Sequence, residues 1–206
     1  MTEKKPTLPT LKRLPLYYNI AKRALNNGET YISSALMANQ LNIDPTQVRK
    51  DIAAIGYTGK PKVGFDLKEF TGHLRLFLGF DKKREIILIG AGNLGVALAR
   101  YNGFSPYGLY IQAIFDSNPD KIGQKIEGKE ILDIKTVQDY ITKNKIKIAI
   151  LTIPTEHAQK TADTLVKAGI TGIWNFAPVN LNLPKGILCK NQDLAASFIT
   201  FAQLVK

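Results

Sequence analysis

Six residues of this 206-residue chain, Gly90, Ala91, Gly92, Asn93, Leu94 and Gly95, fall in the spacing G-x-G-x-x-G. The chemistry served by that spacing is the holding of a dinucleotide pyrophosphate. The first glycine permits a tight turn, and the second lets the backbone approach the phosphates. The third lets a helix pack on its sheet, with the helix N-terminus turned toward the negative charge. The motif gains weight from its context, because it follows the apolar run Ile86, Ile87, Leu88, Ile89 and opens a helical pattern from Val96 to Tyr101. A second strand run, 109–115, ends in Asp116, 21 residues beyond Gly95. A carboxylate there can accept both hydroxyls of an adenosine ribose and would repel a 2′-phosphate, which favours NAD(H) over NADP(H). The alternative for Asp116 is a turn residue in "DSNPD". Thr152, Pro154, Asn175 and Phe176 stand at later strand ends, where a nicotinamide would lie.

Groups able to react with that nicotinamide are scarce. The chain has two histidines and one cysteine. His73 reads as an interface residue, and His157, in "PTEHAQ", as a helix-start residue with no partner carboxylate beyond its neighbour Glu156. Cys189, in "GILCKN", reads as a buried strand thiol with no activating base. No His/Cys cluster has metal-ligand spacing. The expectation is a dinucleotide site with no catalytic residue and no metal.

Strand and helix patterns alternate around the motif. Helices are expected at 133–144 and 156–169, and strands at 146–154, 172–178 and 186–191, which together make a mostly parallel, doubly wound sheet.

The first third has a different character. Residues 1–84 carry 15 Lys and Arg against 7 Asp and Glu, a net charge of +8, whereas 85–206 carry only +3. A basic surface implies a polyanionic partner. A supporting helix is expected at 11–28, followed by a short helix capped by Ser33 or Ser34. A turn at 42–44 leads to a second helix capped by Asp44, with Pro45 at its first position. Val48, Ile52 and Ile55 define the buried face of that helix. Thr46 and Lys50 point away from it, flanked by Gln47 and Arg49, a polar basic face suited to a major groove. Asp51 lies near the buried edge and orients a neighbour rather than meeting DNA. Glycines 59 and 64 bracket Lys60, Pro61 and Lys62, which reads as a basic wing between two short strands. The start, "MTEKKPTLPTLKR", lacks the apolar core of a secretory signal. No run approaches the roughly 18 apolar residues of a membrane span, so a cytoplasmic protein is expected.

Taken in order, "QVRKDIAAIG", "GKPKVGFDL", "GAGNLGVALARYNGF", "FDSNPDKIG", "LTIP", "GIWNFAP" and "NQDL" resemble the Rex family of redox-sensing transcriptional repressors along nearly the whole chain. The resemblance implies a homodimer that binds inverted-repeat operators in double-stranded DNA. It would sense the ratio of NADH to NAD+ and release DNA when NADH binds. It also implies that Tyr101 and Asp193 report on the nicotinamide, and that the C-terminal helix is swapped between subunits. Asn19 departs from the family, which often has arginine there. The expected organisation is a winged helix-turn-helix domain over 1–80, a Rossmann-type domain over 85–192 and a dimerisation helix over 193–206. The rivals are a small NAD-dependent oxidoreductase with a basic appendage, and a coenzyme A-binding Rossmann type, against which Asp116 argues.

Overall fold

The Thr7 side chain accepts the Thr10 N–H and starts the first helix of a computed structural model that describes residues 6–205. The first five residues of the expected domain 1–80, and Lys206 of the expected helix 193–206, lie outside the described residues. The chain divides at Lys82/Lys83 into two units.

In the first unit α1 (Leu8–Asn26) is followed by β1 (Tyr31–Ile32), α2 (Ser34–Leu41), α3 (Pro45–Ala53), β2 (Phe65–Asp66) and α4 (Leu67–Leu78). Local chemistry sets these ends. Ser33 is the residue that caps α2, accepting the Leu36 N–H at 3.1 Å, and Asn42 closes that helix in the left-handed region. Asp44 accepts the Thr46 N–H at 2.6 Å and Pro45 occupies the first turn of α3, where a missing donor is harmless. Leu14, Tyr17, Met37, Val48, Ile52, Phe70 and Leu74 close the core. The wing departs from expectation. β2 pairs antiparallel with β1, while the two arms of the wing meet only in a single bridge, Lys60 to Gly64, with Lys62 at φ 61° in the turn. Four residues between Gly59 and Gly64 leave no length for a strand on each arm.

The second unit runs β3 (Arg84–Ile89), α5 (Asn93–Arg100), a 3-10 turn (Asn102–Tyr107), β4 (Leu109–Asp116), β5 (Lys125–Ile126), β6 (Lys129–Asp133), α6 (Val137–Asn144), β7 (Ile148–Leu151), α7 (Thr155–Ala168), β8 (Gly172–Asn175), β9 (Leu188–Asn191) and α8 (Leu194–Leu204). Its sheet has the order β5-β6-β4-β3-β7-β8-β9 and is parallel except for β5. Winding reverses between β3 and β7, and the crevice beyond those strand ends is where such sheets bind nucleotides. Alternate side chains serve the two faces. Ile87, Ile89, Phe115 and Leu151 pack with Val137, Ile141, Ala158 and Leu165 of α6 and α7. Ile86, Leu88, Ile114 and Ile150 pack with Val96 and Ala99 of α5.

The β5–β6 hairpin lies outside the expected pattern, whereas the helix-free link between β8 and β9 follows it. β5 and β6 form a hairpin turned by Glu127 and Gly128, both with positive φ, and β6 becomes the parallel neighbour of β4. Between β8 and β9 no helix forms. β9 is an edge strand exposed along its length, so Cys189 is exposed rather than buried. No helix among the described residues is long and apolar enough to cross a membrane.

Candidate functional site

The glycine-rich turn is built by three different steric demands. Gly90 has φ +98°, and a Cβ there would come within 2.5 Å of the Thr152 carbonyl oxygen and 2.7 Å of the Ile153 side chain. A Cβ on Gly95 would overlap the Gly90 carbonyl oxygen, so α5 seats directly on the turn. At Gly92 a Cβ would meet nothing within 4 Å. That open space lies at the start of α5, whose N-cap makes no side-chain hydrogen bond, leaving first-turn N–H groups for an anion. The residues therefore fit a bound pyrophosphate. Thr152 Oγ1 donates to the Gly90 and Ile89 carbonyls at 2.8 and 3.0 Å, fastening the end of β7 to the turn.

Asp116 ends β4 and is 8% exposed. Its Oδ2 accepts the Ala91 N–H at 2.6 Å, its Oδ1 accepts the Asn118 N–H at 2.8 Å, and Lys121 Nζ lies 3.5 Å from Oδ2. Burial works against its ionisation, but the two amide donors and the Lys121 charge outweigh it and hold the carboxyl below the ordinary range. Asp116 thus anchors both the glycine turn and the turn after β4, and its ionised oxygens still have acceptor capacity for ribose hydroxyls.

A cavity of about 920 Å³ opens beside these groups. Gly90, Gly92, Asn93, Leu94, Asp116, Thr152 and Pro154 line it, together with His157. Lys121, Lys135 and Lys160 also line it, and sequence reasoning missed them because only the fold brings together lysines from the loop after β4, the turn before α6, and α7. Ala91 and Gly95 are not among its lining residues; Ala91 donates its N–H to Asp116, and Gly95 seats α5 on the turn. Asn175 and Phe176 do not line the cavity. Asn175 is fully buried, donating through Nδ2 to the Ala177 and Val179 carbonyls and to Asn191 Oδ1, and accepting the Ala177 N–H. It folds the loop after β8 instead of facing a ligand. Phe176 lies tilted against Trp174 on the α5 side of the sheet, with ring centroids 4.6 Å apart.

Tyr101, 59% exposed, lies edge-on to Phe104, and Asp193 caps α8 by accepting the Ala196 N–H at 2.9 Å. Among the described residues no hydrogen bond joins the two. No group of three or more His, Cys, Asp or Glu among them is placed to hold a metal.

In the first unit a groove of about 510 Å³ runs between α3 and the wing, lined by Ser34, Arg49, Ala53, Lys60 and Lys62. Arg49 is held in place by bonds from its guanidinium to Ser34 Oγ and Thr46 Oγ1, each 3.1 Å. Lys60 Nζ sits 5.5 Å above the Tyr31 ring. Thr46 and Lys50 are exposed on α3 outside this groove, while Gln47 is half-buried and bonded to Asp51.

Asp51 is 1% exposed and binds α3 to α1. Arg13 grips it with Nε at 2.6 Å and Nη2 at 2.9 Å. Burial opposes the charge on Asp51, yet the bonds donated by Arg13, Tyr17, Gln47 and Thr10 prevail and depress its carboxyl. A folded-state value below the unfolded one, about 3.9, gives stability that is complete above that pH and lost as pH falls through the depressed value. The urea midpoint of the first unit is therefore expected to stay level from about pH 6 to about pH 4 and to fall below that. Asp51→Asn should start lower and fall less steeply. A wild-type midpoint that is flat down to about pH 3 would show that Asp51 carries no such linkage.

Comparison with known proteins adds the following. A model described as "CoA binding domain" matches residues 81–179, and one described as "Putative DNA-binding protein N-terminus" matches 7–53. The chain is 40% identical to the redox-sensing transcriptional repressor Rex of Thermoanaerobacter pseudethanolicus, over 95% of this chain and 88% of that one. It is 38% identical to the Rex of Treponema denticola, over 95% and 93%. Among solved structures, RSP in complex with β-NAD+ and operator DNA superposes with a TM-score of 0.92 at 39% identity, covering 97% of this chain and 92% of that one. RSP in complex with β-NADH gives 0.87 at 38% identity, with 97% and 93% covered.

Proposed function

The chain belongs to the Rex family of redox-sensing transcriptional repressors, and on that premise we propose that it holds operator DNA through its first unit and releases it when NADH occupies the second. The observation that carries this reading is the 0.92 match, along 97% of the chain, to a relative holding NAD+ and operator DNA together. Gly90, Ala91, Gly92, Asn93, Leu94 and Gly95 would hold the pyrophosphate and Asp116 the ribose, with Thr152 and Pro154 toward the nicotinamide. Bound there, the cofactor supplies a nicotinamide ring whose charge differs between its oxidised and reduced forms. The protein's part is to bind the two forms unequally and to couple that difference to DNA affinity. Tyr101 and Asp193 serve that coupling.

On the DNA side, Arg49, Lys60 and Lys62 in the groove and Thr46, Gln47 and Lys50 on α3 make the contacts, with Lys50 on phosphate. An inverted repeat calls for two copies of the chain. The domain assignment is 1–80 for DNA, 85–192 for the dinucleotide and 193–206 for the dimer. The site of action is the cytoplasm, where DNA and NADH meet. The dinucleotide is read and not turned over, no metal takes part, and His157, the one imidazole on the cavity, makes no hydrogen bond through its ring among the described residues.

The test is binding to an inverted-repeat duplex at fixed salt, with NADH and with NAD+. A coupling of typical size weakens DNA binding roughly 5- to 150-fold with NADH, and far less with NAD+. NADH recovered from the mixture, with aldehydes and keto acids added, stays reduced. Equal DNA affinity in both cofactors would sink the sensor, and His157-dependent oxidation would restore an oxidoreductase.

A further inference from the structure

Five hydrogen bonds converge on the two oxygens of Asp51 in the last turn of α3. Thr10 Oγ1 donates to Oδ1 at 3.0 Å, Arg13 donates to both oxygens, Tyr17 donates its hydroxyl to Oδ2 at 2.8 Å, and Gln47 Nε2 donates to Oδ1 at 2.9 Å. The first three partners come from α1, and their bonds explain why α3 is fixed. The fifth does something else, because Gln47 lies one turn nearer the N-terminus of α3, on its half-exposed side beside Thr46. The N-terminal turn of a recognition helix is the part that meets base edges in the major groove.

We propose that Asp51 is a positioning residue for sequence reading, fixing the orientation of the Gln47 amide so that α3 prefers an amino base over a keto base at one position of each half-site. This rests on the DNA-reading function above and deepens it. A free glutamine can turn either its oxygen or its NH₂ outward and so suits several bases. An ionised carboxylate only accepts hydrogen bonds, so Asp51 holds the NH₂ end of Gln47 toward itself. Arg13 and Tyr17 help to keep Asp51 ionised. What remains for DNA is the Oε1 acceptor and one N–H. That pair matches the N6–H donor and N7 acceptor of adenine, and Oε1 alone matches the N4–H donor of cytosine. Guanine O6 and thymine O4 are acceptors, so they can use only the single remaining N–H and leave Oε1 without a donor, the poorer of the two matches. Gln47 therefore distinguishes the two orientations of a base pair.

The experiment is selection from a pool of duplexes with randomised half-sites, using the full chain without added cofactor, followed by affinities for single-base variants. Wild type should restrict one position per half-site to A or C on one strand. Gln47→Ala, which leaves the Arg13, Tyr17 and Thr10 bonds to Asp51 in place, should relax that position alone, lowering the preference about tenfold. Asp51→Asn should admit G and T at the same position and keep the other preferences. Asp51→Asn combined with Arg13→Gln removes the orphaned charge along with its partner and serves the same purpose if the single variant fails to fold. The proposal is overturned if Gln47→Ala selects an unchanged half-site, if the position it governs prefers G or T, or if the folded Asp51 variant keeps the full amino-base preference. A wild-type chain that selects no sequence sinks the DNA-reading function as well; an unchanged Gln47→Ala selection sinks only this inference.

Discussion

Gly95→Ala is expected to lower NADH affinity by about a hundredfold, as loss of roughly two charge-assisted backbone bonds to phosphate would do, while operator binding survives and no longer responds to NADH. The added Cβ would overlap the Gly90 carbonyl oxygen and come within 2.9 Å of Thr152 Oγ1. That same carbonyl accepts the Thr152 hydroxyl, so α5 can make room only by lifting from the turn or by breaking the tie between β3 and β7. Either movement carries the first-turn N–H groups away from the phosphate position. Gly92→Ala separates binding from stability. Its Cβ meets nothing in the protein, so the fold should be unaffected, yet it would stand in the space assigned to the pyrophosphate. Titration of both variants with NADH, beside their thermal midpoints, checks the assignment. A Gly92→Ala protein that binds NADH like wild type would mean that the dinucleotide lies elsewhere.

The parts of this site that could be read from the sequence are those fixed by neighbours in the chain. The caps at Ser33, Asp44 and Asp193 and the glycine spacing are local rules, and each corresponds to a bond or a steric demand in the structure. Asn175 was beyond reach because its strand-end position says nothing of the Ala177 and Val179 carbonyls that its amide satisfies. The β5–β6 hairpin hides in a polar stretch where only Glu127 and Gly128 mark a turn. Asp51 illustrates both cases. Its place near the buried edge of α3 was legible as a positioning role, but the partners that give it that role come from a helix 34 to 41 residues earlier. Cys189 fails for another reason. An apolar strand reads as covered, and nothing within the described residues of this chain covers β9.

Removal of residues 194–206 is expected to leave monomers or unfolded chains and to abolish tight operator binding. α8 has no buried residue. Phe198 is 69% exposed and Leu204 77%, and Leu194, Ile199, Phe201 and Val205 are each more than half exposed. Covering a large apolar side chain is worth about 1.5–3 kcal/mol, so six of them represent on the order of 10 kcal/mol that one chain alone does not gain. A helix apolar on most sides needs cover on more than one surface. Under the proposed function the occupant is a second copy of the chain, which an inverted-repeat operator also calls for, and the sequence resemblance favours exchange of this helix between the two copies. Joining two DNA-reading units makes the second binding event intramolecular, a gain of about 10² to 10⁴ in overall affinity that the truncated chain forfeits. Sedimentation of the full and truncated proteins, with operator titrations of each, measures both losses. Phe198→Glu tests the same surface without shortening the chain and should shift the monomer–dimer balance in the same direction. A truncated protein that still sediments as a dimer and still releases its operator with NADH would remove α8 from both the interface and the redox signal.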